Sequence, residues 1–117
     1  MPALLVSVAE CEAHLGLFVD ALVRGLRGFE LGVDVTLLLE RRDRERDEGC
    51  GWLRPAFAWA LASVDDAPRV ALFVDDVDRL EPGEPLTREL AQLVASPPEG
   101  LEIVLAGRSM PEMGGGV

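Results

Sequence analysis

Arg69–Leu80 reads RVALFVDDVDRL, and this stretch decides the fold class. Five consecutive apolar residues, Val70–Val74, are typical of a strand that is buried on both faces of a parallel sheet. Two carboxylates, Asp75 and Asp76, follow at the carboxyl end of that strand. Open α/β sheets bind their ligands at this end of the strands. The stretch therefore predicts an α/β domain with a candidate site where the strand ends.

Apolar strands and amphipathic helices alternate along the rest of the chain. The predicted strands are Ala3–Val6, Val33–Leu39, Val70–Val74 and Leu101–Ala106. Ser7 and Glu10 fit a capping box, which predicts a first helix from near Val8. Gly25 lies on the apolar stripe of that helix and would let helix and sheet approach closely. We expect a three-layer α/β/α domain with a four-stranded, mainly parallel sheet in the order 2-1-3-4.

Length and composition indicate one folded, Rossmann-like domain. The chain has 117 residues, of which 49% are hydrophobic and 27% are charged, and we assign residues 1–109 to the domain and 110–117 to a flexible tail. The formal net charge of −10 disfavours nucleic acid and anionic membranes as partners. No apolar run reaches the roughly 20 residues of a membrane span, and the N-terminus lacks the basic region of a signal peptide. We therefore expect a cytoplasmic protein.

Arg69–Ser109 contains a Walker-B-like strand, a helix, a PPEG turn and a further strand. This arrangement resembles the second half of AAA+-type P-loop ATPases, most closely the clamp-loader subunits. The resemblance implies that Asp75 and Asp76 would hold Mg²⁺ and polarise a water molecule, and that Arg108 or Ser109 would take the sensor position. The chain has no lysine, and the first strand is followed by SVAECEAHLG in place of a G-x-x-x-x-G-K-[ST] loop. We therefore expect a degenerate ATPase-like core without ATP hydrolysis.

The predicted sheet order places a crevice above the first and third strands, at a topological switch point. The candidate ligand-binding residues around it are Ser7, Glu10, Asp75, Asp76, Arg108 and Ser109. Asp75 and Asp76, with Glu10 as a third oxygen ligand, are candidates to bind Mg²⁺. The alternative is that these acids only cap the turns at the strand ends, in which case no cofactor is needed.

Two cysteines offer a second chemistry. Cys11 and His14 are three residues apart on the predicted helix and could form a thiolate–imidazolium pair, although Cys11 also falls on the apolar stripe and could be an inert buried thiol. Cys50 lies between two glycines, which favours an accessible thiol. The segment Ala3–Trp52 is similar to small sulfur-relay proteins of the DsrE type. That resemblance implies that Cys50 would carry a persulfide and that the subunits would form oligomers.

The leading functional hypothesis is a non-catalytic interaction or regulatory module, such as an accessory subunit of a larger assembly. Trp52, Trp59 and an apolar edge strand favour a protein partner or a homo-oligomer. One alternative is a DsrE-like thiol or sulfur-relay protein that uses Cys50. The other is a Mg²⁺-dependent hydrolase or phosphotransfer domain that uses Asp75 and Asp76.

Overall fold

Three strands and four α-helices make up the part of the chain that the computed structural model describes, which is residues 2–43, 51–64, 66 and 68–108. The strands are β1 (Ala3–Ser7), β2 (Val70–Asp75) and β3 (Leu101–Leu105). The helices are α1 (Leu15–Gly28), α2 (Thr36–Asp43), α3 (Leu53–Ala62) and α4 (Pro85–Ala95), and a 3₁₀ turn spans Val77–Arg79. The predicted α/β class is confirmed.

The strands form one parallel sheet in the order β1-β2-β3. Val6 of β1 pairs with Val74 of β2, which in turn pairs with Leu105 of β3. The predicted neighbours, the strand at the N-terminus and the strand before Asp75, therefore do lie side by side. The parallel character of the sheet is confirmed for these three strands.

The prediction of a strand over Val33–Leu39 is wrong, because α2 begins at Thr36. The Asp34 carboxylate accepts a hydrogen bond from the Thr36 backbone N–H at 2.9 Å, which satisfies one of the unpaired donors at the start of this helix. The helix then continues to Asp43 through the charged residues that follow the apolar run. Within the described residues the sheet consequently has three strands. The second strand of the predicted order 2-1-3-4 is absent.

The described helices lie on one face of the sheet and share one apolar core with it. Helix α1 contacts β1, and contacts between α1 and α2, α2 and α3, and α3 and α4 join the helices to one another. Both connections between strands advance across the sheet in the same direction. Because such crossovers are right-handed, their helices fall on the same face. The predicted three-layer arrangement is therefore not found among the described residues, whose helices lie on one face of the sheet.

The covered face of the sheet and the helices share one apolar core. Leu4, Val6, Leu72 and Val74 are all buried in it. A Cβ added at Gly25 of α1 would lie 2.7 Å from Leu4 Cδ2, so the close approach of helix and sheet predicted at this glycine is confirmed. No helix of the described residues is both long and apolar enough to span a membrane.

The first helix begins later than the capping-box pattern predicts. Residues 8–13 form turns, in which Glu12 and Ala13 have positive φ angles of 56° and 54°. His14 caps α1, since its Nδ1 accepts a hydrogen bond from the Leu17 backbone N–H at 3.3 Å. Two consecutive left-handed residues are incompatible with helix, so the chain turns after β1 before it enters α1.

Candidate functional site

The carboxyl ends of β1 and β2 are joined through polar side chains. The Ser7 hydroxyl donates a hydrogen bond to Asp76 Oδ2 at 2.8 Å and accepts one from the Glu10 backbone N–H at 3.3 Å. The Asp76 backbone N–H in turn donates to Asp75 Oδ1 at 2.8 Å. The hydroxyl half of the predicted capping box is thus present, but it closes a turn in place of a helix.

Asp76 has a left-handed backbone conformation, with φ of 60° and ψ of 36°. Aspartate is among the few residues other than glycine that adopt this conformation routinely, because its short side chain can bond locally. Here the conformation ends β2 and starts the 3₁₀ turn, whose first residue, Val77, donates its N–H to the Ala106 carbonyl at 3.0 Å. The left-handed turn therefore directs the Asp76 carboxylate towards Ser7.

A shallow cavity of about 410 Å³ lies at this end of the sheet. Its lining residues are Asp75, Asp76, Asp78, Arg79, Gly107 and Arg108. The structure thus brings together three of the predicted ligand-binding residues, while Ser7 reaches the cluster through its bond to Asp76. Ser109 lies outside the described residues. The order β1-β2-β3 contains no reversal, so the cavity is not at a topological switch point.

Glu10 lies apart from this cavity. It lines a larger groove of about 710 Å³ between β1, α1 and α2, together with Ser7, Cys11, Arg24 and Arg27. The predicted convergence of Glu10 with Asp75 and Asp76 is therefore not found. Among the described residues, no three side chains of His, Cys, Asp or Glu are grouped so that they could hold a metal ion.

Of the two candidate thiols, the structure describes Cys11 but not Cys50. Cys11 is buried, and its Sγ lies 3.5 Å from the Val8 carbonyl oxygen, to which it donates. Burial raises the pKa of the Cys11 thiol, and the backbone hydrogen bonds around it offset this only in part. His14 is engaged at the start of α1 and forms no described side-chain bond with Cys11. Cys50 lies outside the described residues.

Glu89 is a buried charged residue that the sequence analysis did not single out. It is only 1% exposed. Its carboxylate accepts backbone N–H bonds from Gly51 at 2.6 Å, Trp52 at 2.8 Å and Leu53 at 3.0 Å. These donors form the start of α3, so Glu89 of α4 caps a different helix. One feature of the sequence could have indicated this role: Glu89 is an acid that lies on the apolar stripe of its own helix, α4.

The two tryptophans have different environments. Trp52 is buried, and its Nε1 has no hydrogen-bond partner among the described residues. Trp59, on α3, is exposed. The two tryptophans therefore do not form a shared exposed surface that could face a partner.

The uncovered face of the sheet carries a row of large apolar side chains. Leu5, Phe73 and Val104 are 75%, 39% and 43% exposed, and they are paired in register across β1, β2 and β3. We call these three residues the open-face row. Their neighbours along each strand, such as Leu4 and Leu72, are buried on the opposite face. No described helix or strand packs over the open-face row.

Comparisons of this chain with known proteins add no relative on which an assignment could rest. The likeness of Arg69–Ser109 to ATPase cores and of Ala3–Trp52 to sulfur-relay proteins therefore remains a likeness of short motifs. No protein-family model, curated protein or solved structure matches the chain.

Proposed function

We propose that this chain is a non-catalytic interaction module that docks onto another protein through the uncovered face of its sheet. The observation that carries the proposal is the open-face row, Leu5, Phe73 and Val104, which stays exposed in register across all three strands. Parallel sheets are ordinarily covered by helices on both faces. A partner that covers this row would supply the missing layer.

The energetics support docking at this face. Fully burying a large apolar side chain contributes roughly 1.5–3 kcal/mol relative to full exposure, so covering side chains that are 39–75% exposed contributes a corresponding part of that. Three such side chains lie in adjacent strands, about 4.8 Å apart in the hydrogen-bonding direction, so one partner element can contact all of them. An exposed apolar group of this kind is characteristic of interaction surfaces.

The polar cluster at the carboxyl ends of the strands gives less support for catalysis. The Asp76 carboxylate accepts a hydrogen bond from Ser7, and the chain contains no lysine to neutralise phosphate charge. Burial raises the pKa of Cys11, which disfavours its thiolate. The hydrolase hypothesis for Asp75 and Asp76 and the sulfur-relay hypothesis for Cys50 are alternatives that no observation here favours.

The absence of nucleotide turnover is tested with ATP and GTP in the presence of Mg²⁺. We expect no hydrolysis above the buffer rate, and we expect Asp76→Asn to leave this result unchanged. Turnover that the Asp76→Asn variant abolishes would overturn the non-catalytic assignment.

The exposure of the docking face is tested with an environment-sensitive dye such as bis-ANS. We expect Phe73→Thr to reduce the bound-dye fluorescence. The matched control is Phe29→Thr, because Phe29 is 47% exposed but is the C-cap residue of α1 and not a residue of the sheet. Equal fluorescence of the wild type and the Phe73→Thr variant would show that the sheet face is not an accessible apolar surface.

A further inference from the structure

We propose that the free edge of β1 is a second binding site, which takes up an extended segment of another protein as a fourth strand of the sheet. The segment has an acidic side chain at the end that lies beside the start of β1. This site is separate from the open-face row, because it binds through the backbone of the edge strand. Three observations carry the proposal: the unpaired backbone groups of β1, a groove along its edge, and the charges of that groove.

The backbone of β1 has one paired side and one unpaired side. The Val8 N–H donates a hydrogen bond to the Asp75 carbonyl at 2.9 Å, and hydrogen-bonding groups alternate between the two sides of a strand. The N–H and C=O groups of Ala3 and Leu5 therefore point away from β2. Since β1 is an edge strand of the described sheet, these groups are complementary to the backbone of a further strand.

The edge of β1 lacks the features that protect sheet edges from pairing. Proteins commonly protect an exposed edge with charged side chains, prolines or bulges. The opposite edge of this sheet has such a feature, because β3 contains the exposed Glu102. In contrast, β1 contains no charged residue and no proline, and its register with β2 is unbroken from Ala3 to Ser7. The edge of β1 is therefore open to pairing.

The larger of the two grooves described above reaches around this edge. The groove has a volume of about 710 Å³, and both Leu5 and Val6 line it. Leu5 is 75% exposed and Val6 is buried, because consecutive side chains of a strand point to opposite faces of the sheet. The other walls include Leu17 and Ala21 of α1 and Leu39 of α2. A strand added to β1 would therefore lie in the groove and cover these apolar walls.

Five charged side chains line the same groove. Arg42 of α2 is paired with Asp20 of α1, so these two charges compensate each other. The other three are Arg24, Arg27 and Glu10, and none of them forms an ion pair with another described residue. Two positive charges and one negative charge of the groove are thus left for a bound segment.

These three charges lie towards different ends of β1. A Cβ at Gly25 would lie 2.7 Å from the side chain of Leu4, so Arg24 and Arg27, which flank Gly25 in sequence, lie near the start of β1. Glu10 follows the end of the strand. The two guanidinium groups favour a carboxylate of the segment beside the start of β1, whereas Glu10 opposes one at the other end.

A second copy of this chain fits the edge less well. Each copy has a formal net charge of −10, which opposes the approach of two copies. The strand that a second copy would contribute in an edge-to-edge pairing, β1 itself, has no acid to meet Arg24 and Arg27. A segment of another protein meets neither difficulty.

The test uses a labelled, end-blocked peptide of alternating valine and threonine with a glutamate at one end. The peptide is made with the glutamate at either end, because the added strand can run in either direction along β1. Binding to the full chain is measured by fluorescence anisotropy. N-methylation of alternate residues then removes the N–H groups from one side of the peptide. We expect one methylated form to bind at least about tenfold more weakly and the other to bind within about threefold of the parent.

Leu5→Pro tests the edge from the side of the chain. Proline removes the outward-facing N–H, and an edge strand tolerates proline where its N–H faces solvent. We expect Leu5→Pro to weaken peptide binding at least about tenfold, whereas the matched control Leu5→Thr keeps the N–H and should retain binding. If circular dichroism shows that Leu5→Pro does not fold, the two methylated peptides decide the question.

Paired variants test the charge of the segment. We expect the wild type to bind the glutamate peptide about threefold more tightly than its glutamine counterpart at about 50 mM NaCl. Arg24→Gln combined with Arg27→Gln should remove this preference. Arg79→Gln combined with Arg88→Gln makes the same change in net charge at exposed positions outside the groove and should leave it unchanged.

The outcomes separate this site from the open-face row. If both methylated peptides bind like the parent, or if no peptide binds, no strand is added to β1 and the proposal fails. If Phe73→Thr abolishes binding but methylation does not, the peptide lies on the open-face row, so the edge site fails and the docking function stands. Equal binding of the glutamate and glutamine peptides would show that the segment is not acidic. A wild-type dimer in sedimentation that Leu5→Pro dissociates would show that the occupant is a second copy.

Discussion

The carboxylate of Glu89 is almost completely buried, yet it keeps three consecutive backbone N–H groups as hydrogen-bond donors. An unpaired buried charge costs several kcal/mol. Here the donors lie at the N-terminus of α3, where the unpaired N–H groups and the helix dipole both favour a negative charge. A single side chain thereby stabilises the start of α3 and holds it against α4.

We expect Glu89→Gln to lower the free energy of unfolding by about 2–3 kcal/mol, because it replaces charge-assisted bonds by weaker ones and turns an amide NH₂ towards N–H donors. Urea denaturation followed by circular dichroism measures this loss. Glu81→Gln is the control, since Glu81 is exposed, and it should change the free energy by less than about 0.5 kcal/mol. Equal values for the two variants would contradict the capping role.

Asp34 adds a dependence of stability on pH. Hydrogen bonds from the Thr36 side chain and from the Thr36 backbone N–H lower the pKa of the Asp34 carboxyl below its usual value. Because the folded pKa lies below the unfolded one, the ionised group stabilises the fold above about pH 5. That stabilisation is lost as the pH falls through the folded pKa.

We therefore expect Asp34→Asn to lower the Tm at pH 7 and to have little effect near pH 2, where the wild-type carboxyl is protonated in both states. Thermal unfolding across this pH range measures the effect. Asp66→Asn, at an exposed position, should show no comparable dependence. A Tm difference for Asp34→Asn that persists unchanged to pH 2 would show that the charge of Asp34 is not the cause.

Some positions of the polar side chains could be predicted from the sequence, and others could not. Ser7 and Asp76 meet as expected, because the carboxyl ends of neighbouring parallel strands lie at the same edge of a sheet. Glu10 follows β1 closely in sequence, but the turns of residues 8–13 carry it into another groove. Glu89 was missed because its partners are 36 to 38 residues away in sequence.

Among the helices and strands, the packing of α1 on β1 depends on a glycine. A Cβ at Gly25 would lie 2.7 Å from the buried Leu4 side chain, whereas one at Gly28 would meet nothing within 4 Å. Both glycines belong to α1. Replacing each glycine by alanine therefore separates two effects. One is the higher helix propensity of alanine, and the other is the steric clash at the interface between α1 and β1.

We expect Gly25→Ala to lower the free energy of unfolding by about 1 kcal/mol, since overpacking of a core costs more than the gain in helix propensity. Gly28→Ala should raise it by up to about 1 kcal/mol through propensity alone. Chemical denaturation of the two variants gives both values. Stabilisation of similar size by both substitutions would mean that α1 and β1 are not in tight contact.

The error over Val33–Leu39 has a physical origin. A short apolar run is compatible with a buried strand and with a helix segment, and periodicity alone does not separate them. The deciding interactions are the Asp34 bond to Thr36 and the anchoring of this loop, whose Asp34 N–H donates to Ser63 Oγ at 2.8 Å. The second of these joins positions 29 residues apart, so it is tertiary.

For the domain as a whole, the placement of the helices follows from the structure of the segment Val33–Leu39. With a fourth strand beside β1, the sheet order would reverse and the helices would divide between two faces. With α2 in its place, every described helix lies on one face and the open-face row is exposed. The proposed docking surface is thus a consequence of topology.

Adjacent residues of β1 test this architecture directly. Leu4 is 2% exposed and Leu5 is 75% exposed. We expect Leu4→Thr to lower the free energy of unfolding by about 3 kcal/mol, through lost burial and a hydroxyl placed in the core. Leu5→Thr should change it by less than about 0.5 kcal/mol. Losses of equal size in urea denaturation would show that both faces of the sheet are covered.

The sequence by itself determined the α/β class, the three parallel strands and the meeting of Ser7 with Asp76. Those features depend on local hydrophobic patterns and on the rule that parallel strands end at a common edge. The tertiary structure alone decided that Thr36–Asp43 is helical, that Glu89 caps α3 and that the described helices leave one face of the sheet open. Each of these depends on contacts between residues far apart in sequence, which no local pattern contains.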